Sequence, residues 1–282
     1  METRKLGSTA TEIPALGMGT WLFVGNSPDA RLDQDAMESI RTGIDLGMTL
    51  IDTAESYSYG HAEEVIGAAI KGIREKVFIA TKVSPENFAY KDVLKAAHQS
   101  LRRLKTEYID LYQLHRPNPY VPIEETMRAM ESLVTQGAVR YIGVSNFSAG
   151  LTRKAQRALS ENDIVANQVS YSLLDREIED NLLSAARQDK VTIIAYSPLA
   201  HARLLDYRRP GKEVLEALST KYHKTAAQIA LNWLIAKDNI VAIPKAFQVH
   251  HVRENAAAAG WRMTPEDQAS LDEAFSQVAW HS

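Results

Sequence analysis

The chain has 282 residues, 45% hydrophobic and 24% charged, a balance that fits a globular protein and excludes intrinsic disorder, collagen-like repeats and a coiled-coil rod. Its 32 basic and 35 acidic residues leave a net charge of −3 without any block of like charge. No electrostatic footprint for nucleic acid or an anionic membrane is present, so the expected partner is a small molecule. With no cysteine, a disulfide framework, a thiolate metal site and a cysteine nucleophile are all excluded. Residues 1–17 lack the apolar stretch of a signal peptide, and no apolar run reaches the roughly 18 residues of a membrane span, so a cytoplasmic location is expected.

In chain order, a small hairpin comes first: residues 4–6, a Gly7-Ser8 turn and residues 12–14, placed to plug the floor of a barrel. Short apolar, β-rich runs follow at 15–20, 49–53, 77–82, 109–114, 139–144, 164–168, 192–197 and 240–244. Their putative ends, from Thr20 to Lys245, are spaced 32, 30, 33, 30, 23, 29 and 48 residues apart. A βαβ unit takes about 30 residues. Between the runs, apolar residues fall at helical intervals, as in Val93, Leu94, Ala97, Leu101 and Leu104, or Ile123, Met127, Met130, Leu133 and Val134. The longest gap holds a polar, Arg-rich segment at 200–211, a candidate lid, and then two helices. The second of these reads as a capped amphipathic run: Thr225, Ala226, Ile229, Ala230, Trp233 and Leu234. A helix near 249–258 and another capped by Thr264-Pro265-Glu266-Asp267 close the chain. Periodicity alone allows an open doubly wound sheet, but the length favours a single (β/α)8 TIM barrel over residues 1–282.

Barrel enzymes carry their chemistry at the C-terminal ends of the strands. Those ends are polar here: Asp52, with Tyr57 five residues on, then Lys82, then His115. Singly, each has an ordinary explanation as a cap, a packing ring or a snorkelling amine. Together they make chemical sense. An ammonium at Lys82 lowers the pKa of the Tyr57 phenol, Asp52 keeps that amine charged, and His115 orients a substrate oxygen. Such a set suits reversible proton transfer to a carbonyl oxygen paired with a hydride from a cofactor. Gly17-Met18-Gly19-Thr20-Trp21-Leu22 lacks the third glycine of a dinucleotide fingerprint and opens no helix, so it is rejected as one. His250 and His251 have no third ligand nearby, and no metal site is expected.

The chain resembles the aldo-keto reductases. The resemblance is carried by Gly19-Thr20-Trp21, Asp52-Thr53-Ala54-Glu55-Ser56-Tyr57, Lys82, Asp110-Leu111-Tyr112-Gln113-Leu114-His115, Gly143-Val144-Ser145-Asn146-Phe147, Asn167-Gln168, Tyr196-Ser197-Pro198-Leu199 and Ile243-Pro244-Lys245. It implies an NAD(P)H-dependent enzyme on a (β/α)8 barrel, with Tyr57 as general acid/base and Asp52, Lys82 and His115 completing a tetrad. The cofactor would lie extended across the rim. Ser145, Asn146 and Gln168 would hold the nicotinamide carboxamide, Tyr196 would stack on its ring, Lys245 would face the 2′-phosphate, and Glu254 and Asn255 would meet the adenine. Thr20, Trp21, Asp52, Ser197, Leu199, Ala246 and His251 complete the expected cofactor set, while Trp21, Tyr57, His115, Phe88 and Tyr90 are the candidate substrate contacts.

The sequence departs from the family pattern in three respects. His251 replaces a frequent arginine and Ala246 a frequent serine, which points to use of NAD(H) alongside NADP(H). Ser84 replaces a frequent tryptophan, so the pocket wall is sought in Trp21, Phe88 and Tyr90. The chain ends soon after its last helix, at Trp280-His281-Ser282, which suggests an open pocket for small aldehydes, ketones or sugar-like substrates. Two other functions fit a barrel with these residues: a Schiff-base lyase using Lys82, and a non-catalytic nucleotide sensor.

Overall fold

In the computed structural model, residues 1–25, 28–205 and 211–276 are described. β1 (Thr3–Lys5) and β2 (Glu12–Pro14) pair antiparallel, with Arg4 opposite Ile13. Leu6 and Ile13, at 0% and 1% exposure, join Leu50, Ala80, Leu111, Ile194 and Val241 in one apolar cluster, so the hairpin does plug the barrel. Eight parallel strands follow: β3 (Met18–Gly19), β4 (Leu50–Asp52), β5 (Phe78–Val83), β6 (Ile109–Leu114), β7 (Val139–Ser145), β8 (Ile164–Ser170), β9 (Thr192–Tyr196) and β10 (Ile240–Ala242). Neighbours in the sheet are neighbours in the chain.

The choice between an open sheet and a barrel is settled at the seam. Gly17 N donates to Ala242 O at 2.9 Å, Ala242 N to Ala15 O at 2.9 Å and Gly19 N to Pro244 O at 3.2 Å, which joins the first strand to the last. Both are shorter than the sequence suggests, because the seam runs partly through isolated bridges at Leu16 and Gly19.

The helices are α1 (Ala30–Asp45), α2 (His61–Ala69), α3 (Tyr90–Leu104), α4 (Ile123–Thr135), α5 (Ala149–Arg157), α6 (Leu182–Gln188), α7 (Lys212–Tyr222), α8 (Ala226–Ile235), α9 (Val249–Ala256) and α10 (Pro265–Phe275). α3 and α4 bury the stripes read from the sequence, Val93, Ala97 and Leu104 in one and Met127, Met130 and Leu133 in the other. α8 differs: it has its capping box between Thr225 and Gln228, yet every residue from Gln228 to Ile235 is buried. Its polar positions face backbone instead of water, Gln228 donating to Glu254 O at 3.0 Å and Asn232 to Ala258 O and Trp261 O at 2.9 Å. Within the candidate lid, Ala200–Leu205 form a 3-10 helix, while residues 206–210, like Trp280, His281 and Ser282, lie outside the described residues. Among the described residues no helix is long and apolar enough to cross a membrane.

Asp110 belongs to the same motif as His115 but stands near the opposite end of β6. It accepts from Arg74 at 2.6 Å, Arg140 at 3.0 Å and Ile79 N at 2.9 Å, and the ring of Tyr108 lies between the two guanidiniums at 4.0 and 3.8 Å. Its work is structural.

Candidate active site

Side chains on a strand alternate between faces, so a residue two beyond an interior apolar one also points inward. Leu50, Ala80, Leu111, Ala166 and Ile194 form the interior apolar layer. Two residues further on stand Asp52, Lys82, Gln113, Gln168 and Tyr196. The strands thus pass from an apolar plug to a polar upper layer, and four of these five side chains are 0–2% exposed.

Lys82 Nζ donates to Asp52 Oδ2 at 2.7 Å, to Thr53 O at 2.8 Å and to Tyr57 OH at 3.1 Å. The other oxygen of Asp52 accepts from Gln168 Nε2 at 2.6 Å, with Gln113 Nε2 at 3.5 Å. Thr20, also buried, donates its hydroxyl to Asp52 O at 2.9 Å and so ties the first strand to the second. Tyr57 opens a 3-10 turn, Tyr57–Gly60, and its ring meets the His115 ring edge-on at 5.8 Å. Tyr59, two residues along, is 86% exposed.

Burial raises the Tyr57 phenol above its ordinary pKa; the Lys82 charge opposes this and Asp52 adds to it. The expectation of a lowered phenol is therefore corrected. Lys82 does pull downward, but desolvation outweighs it, and the resting phenol is a proton donor. Burial alone would discharge Lys82, yet its ion pair with Asp52 and its hydrogen bonds leave its pKa raised. His115 is pushed down to about 4 by burial and by the positive charges of Lys82 and Arg116, so it is neutral at physiological pH. Its Nδ1 lies 3.5 Å from Ser56 Oγ.

The implied carboxamide residues form a second network against the first. Asn146, held at φ 60, donates to His115 O and to Ser145 Oγ at 3.0 Å each and accepts from Tyr196 OH at 2.9 Å. Ser145 donates to Gln168 O at 2.9 Å. Burial raises the Tyr196 phenol, so its hydroxyl remains a donor to Asn146. Around the rim, Ser197 sits at φ 48, Leu199 and Ala246 are half-buried, and Lys245 is exposed beside Gly19 across the seam. His251, exposed, lies 3.3 Å from Glu254 and meets the His250 ring at a tilt of 44°, with ring centroids 4.0 Å apart. Glu254 is thus paired with His251, and Asn255 behind it is 3% exposed.

Of the substrate candidates, Trp21 is 48% exposed at the end of β3 and Tyr90 is half-buried at the start of α3. Phe88 is a correction. It is 1% exposed and belongs to the core between barrel and helices, so its ring offers no face to the rim. Two participants escaped the sequence reading, Gln113 beside Asp52 and the carbonyl of Thr53 on Lys82. The first was findable, because Gln113 stands two residues beyond interior Leu111.

The sequence model of the Aldo/keto reductase family matches residues 15–275. Methylglyoxal reductase YeaE of Escherichia coli (strain K12) is 40% identical over 263 residues, covering 93% of this chain and 91% of that one. Aldo-keto reductase YhdN of Bacillus subtilis (strain 168) is 32% identical, covering 96% of this chain and 93% of that one. The crystal structure of a thermostable aldo-keto reductase, Tm1743, with the inhibitor epalrestat is similar at a TM-score of 0.92 and 45% identity, over 97% of this chain and 100% of that one. An aldo/keto reductase from Klebsiella pneumoniae in complex with NADP and acetate gives 0.87 and 38%, over 97% and 95%. Family model, relatives and fold agree, and the chain belongs to the aldo/keto reductase family.

Proposed function

We propose that this protein reduces small aldehydes and ketones with NADPH, and oxidises the corresponding alcohols in reverse, with Tyr57 as general acid/base. The observation that carries the reading is the position of Lys82, buried and within 3.1 Å of Asp52 and Tyr57 together. NADPH, when bound, supplies the hydride. The Tyr57 hydroxyl gives its proton to the carbonyl oxygen, and the charge on Lys82 gains most value as the phenolate develops, the point at which stabilisation accelerates the reaction. Asp52 keeps Lys82 charged, and neutral His115, with Nδ1 beside Ser56, leaves Nε2 for the substrate oxygen.

The residues present fit such a cofactor. Ser145 and Asn146, bonded to each other and, through Ser145, to Gln168 O, form a set of hydroxyl and amide groups suited to a carboxamide, the Tyr196 ring lies beside them, and Lys245 is an exposed cation at the rim. The names of relatives support both halves of the reading, one a methylglyoxal reductase and one crystallised with NADP. A Schiff-base lyase is disfavoured, because a nucleophilic amine must be neutral and Lys82 is held charged by its partners. The hydrogen-bonded set of Asp52, Lys82 and Tyr57, with the His115 ring edge-on to Tyr57, likewise speaks against a non-catalytic sensor. The test is a panel of small aldehydes, dicarbonyls, ketones and alcohols assayed with NADPH and NADH; no consumption of either cofactor with any of them would overturn the proposal.

A further inference from the structure

Behind Lys82, on the outer side of the barrel wall, lies another buried ionic group that the reaction does not use. Glu63 of α2 is 0% exposed, and its carboxylate accepts from Thr81 Oγ1 at 2.6 Å and from Arg103 Nε at 2.7 Å. Arg103, in the last turn of α3, also donates to Ser100 Oγ at 3.3 Å. Burial pushes the Glu63 carboxyl upward, against the opposing pull of Arg103 and Thr81. A buried carboxylate of this kind is kept only with such partners.

Both ends of the cluster reach the catalytic groups through a short stretch of backbone, one residue from Thr81 to Lys82 and three from Gly60 to Tyr57. Thr81 and Lys82 are consecutive on β5, so a hydroxyl pinned outside the wall fixes the peptide from which the ammonium projects inside. On the other side, Ser58, Tyr59 and Gly60 have φ of 49, 56 and 93, three successive left-handed residues directly after Tyr57. Such a run persists only where its surroundings hold it. At Gly60 a Cβ would lie 2.7 Å from Cδ and Nε of Arg103, so the turn rests on the arginine side chain itself. At Gly67 a Cβ would lie 2.6 Å from Leu104 O, which seats α2 directly on the end of α3.

We propose that Glu63 and Arg103 are a positioning pair, clamping the Tyr57 turn and the strand carrying Lys82 so that the Lys82–Tyr57 contact is set from outside the barrel. The inference rests on the proposed roles of Tyr57 and Lys82. Thr81→Val is the deciding variant, because valine keeps the shape and removes only the hydroxyl; Thr81→Ser is the conservative rescue and Arg103→Gln the companion.

Three quantities are read: kcat and KM, the pH profile of kcat, and hydrogen exchange of the segment 53–62. Thr81→Val and Arg103→Gln are expected to lower kcat roughly tenfold or more, as small misplacements of reacting groups do. They should also move the alkaline limb, set by Tyr57 facing Lys82, Asp52 and His115, and speed exchange in 53–62, while the KM for cofactor holds. Thr81→Ser should restore all three. A folded Thr81→Val with wild-type kcat, pH profile and exchange would overturn the clamp. If the wild type itself reduced no carbonyl, the proposed reaction would fall, and exchange in 53–62 would still decide whether the pair holds the turn.

Discussion

Gln168 Nε2 lies 2.6 Å from Asp52 Oδ1, and the two residues stand on β8 and β4, four strands apart in a ring of eight. The bond therefore crosses the mouth of the barrel and joins a residue of the proposed carboxamide site to the carboxylate that holds Lys82. Without the amide, that oxygen of Asp52 keeps only Gln113 at 3.5 Å. An unsatisfied buried polar atom costs about 1–3 kcal/mol. Gln168→Leu is expected to lower kcat and weaken cofactor binding together, and Gln168→Glu to do more harm by setting a second carboxylate beside the first. Steady-state kinetics with fluorescence titration of cofactor would check this; weakened binding at unchanged kcat would make the cross-barrel bond irrelevant to catalysis.

Only one of two nearby tyrosines meets Lys82. Tyr57→Phe removes the hydroxyl at 3.1 Å from Nζ and should lower turnover by roughly 10²–10⁴-fold, the range for a general acid, with cofactor binding nearly intact. Tyr59, 86% exposed, should tolerate phenylalanine. The reverse pattern in a turnover assay would assign the loop to the wrong register.

The eightfold repeat was legible because each unit keeps its own apolar run and its own amphipathic helix. The seam was not, since β3 and β10 reach each other through a few backbone bonds that leave no side-chain signature. The grouping of Asp52, Tyr57, Lys82 and His115 could be read from strand ends and the loop after the second, but Phe88 could not be placed: nearness to Lys82 in sequence says nothing of which side of the wall a ring packs on. The direction of the Tyr57 shift also needed the structure, as a charge and a burial of opposite sign compete there and only depth decides between them.

Two histidines titrate in opposite directions. His61, held by Asp33 at 2.9 Å and Glu64 at 3.1 Å, has a raised pKa: although burial opposes it, the two carboxylates prevail. Its contribution to stability is full below the unfolded value near 6.5 and is lost as pH rises through the raised folded value. His115, lowered to about 4, contributes stability above about 6.5 that is lost as pH falls toward 4. Thermal melts from pH 4 to 9 should show His61→Gln costing most at the acid end and His115→Gln at the neutral end. Because His115 stays neutral and the Tyr57 phenol protonated, kcat for reduction should show no inflection near pH 6.5 and should fall only above pH 10. An inflection near 6.5 that vanishes in His115→Gln would show that the imidazole is charged in turnover.

Lys82→Met removes the charge that stabilises phenolate and leaves Asp52 buried without its cation, a loss of about 3–5 kcal/mol when one partner of a buried pair is deleted. Turnover should drop by several orders of magnitude, and the melting temperature with it. Asp52→Asn should cost less in rate, because Thr53 O and Tyr57 OH still receive Nζ. Near-normal cofactor consumption by a folded Lys82→Met protein would remove Lys82 from the reaction.

In the proposed reading, the choice between the two cofactors falls to the rim at Lys245. There Lys245 would offer a 2′-phosphate one point charge, whereas the imidazole of His251, which faces Glu254 at 3.3 Å, would offer at most one more donor. Use of both NADPH and NADH, with weak discrimination, is expected. His251→Arg would bring a planar fork able to grip a phosphate at two points, and should tighten NADPH by about 1–3 kcal/mol, the range for hydrogen bonds to charged groups, while leaving NADH nearly unchanged. Part of that gain is opposed by Glu254, one turn along α9, which an arginine there would also meet; Glu254→Gln in the same protein should release it. Lys245→Ala should weaken NADPH selectively. Fluorescence titration of each variant with each cofactor measures the difference, and equal effects on NADPH and NADH would show that neither side chain faces the 2′ position.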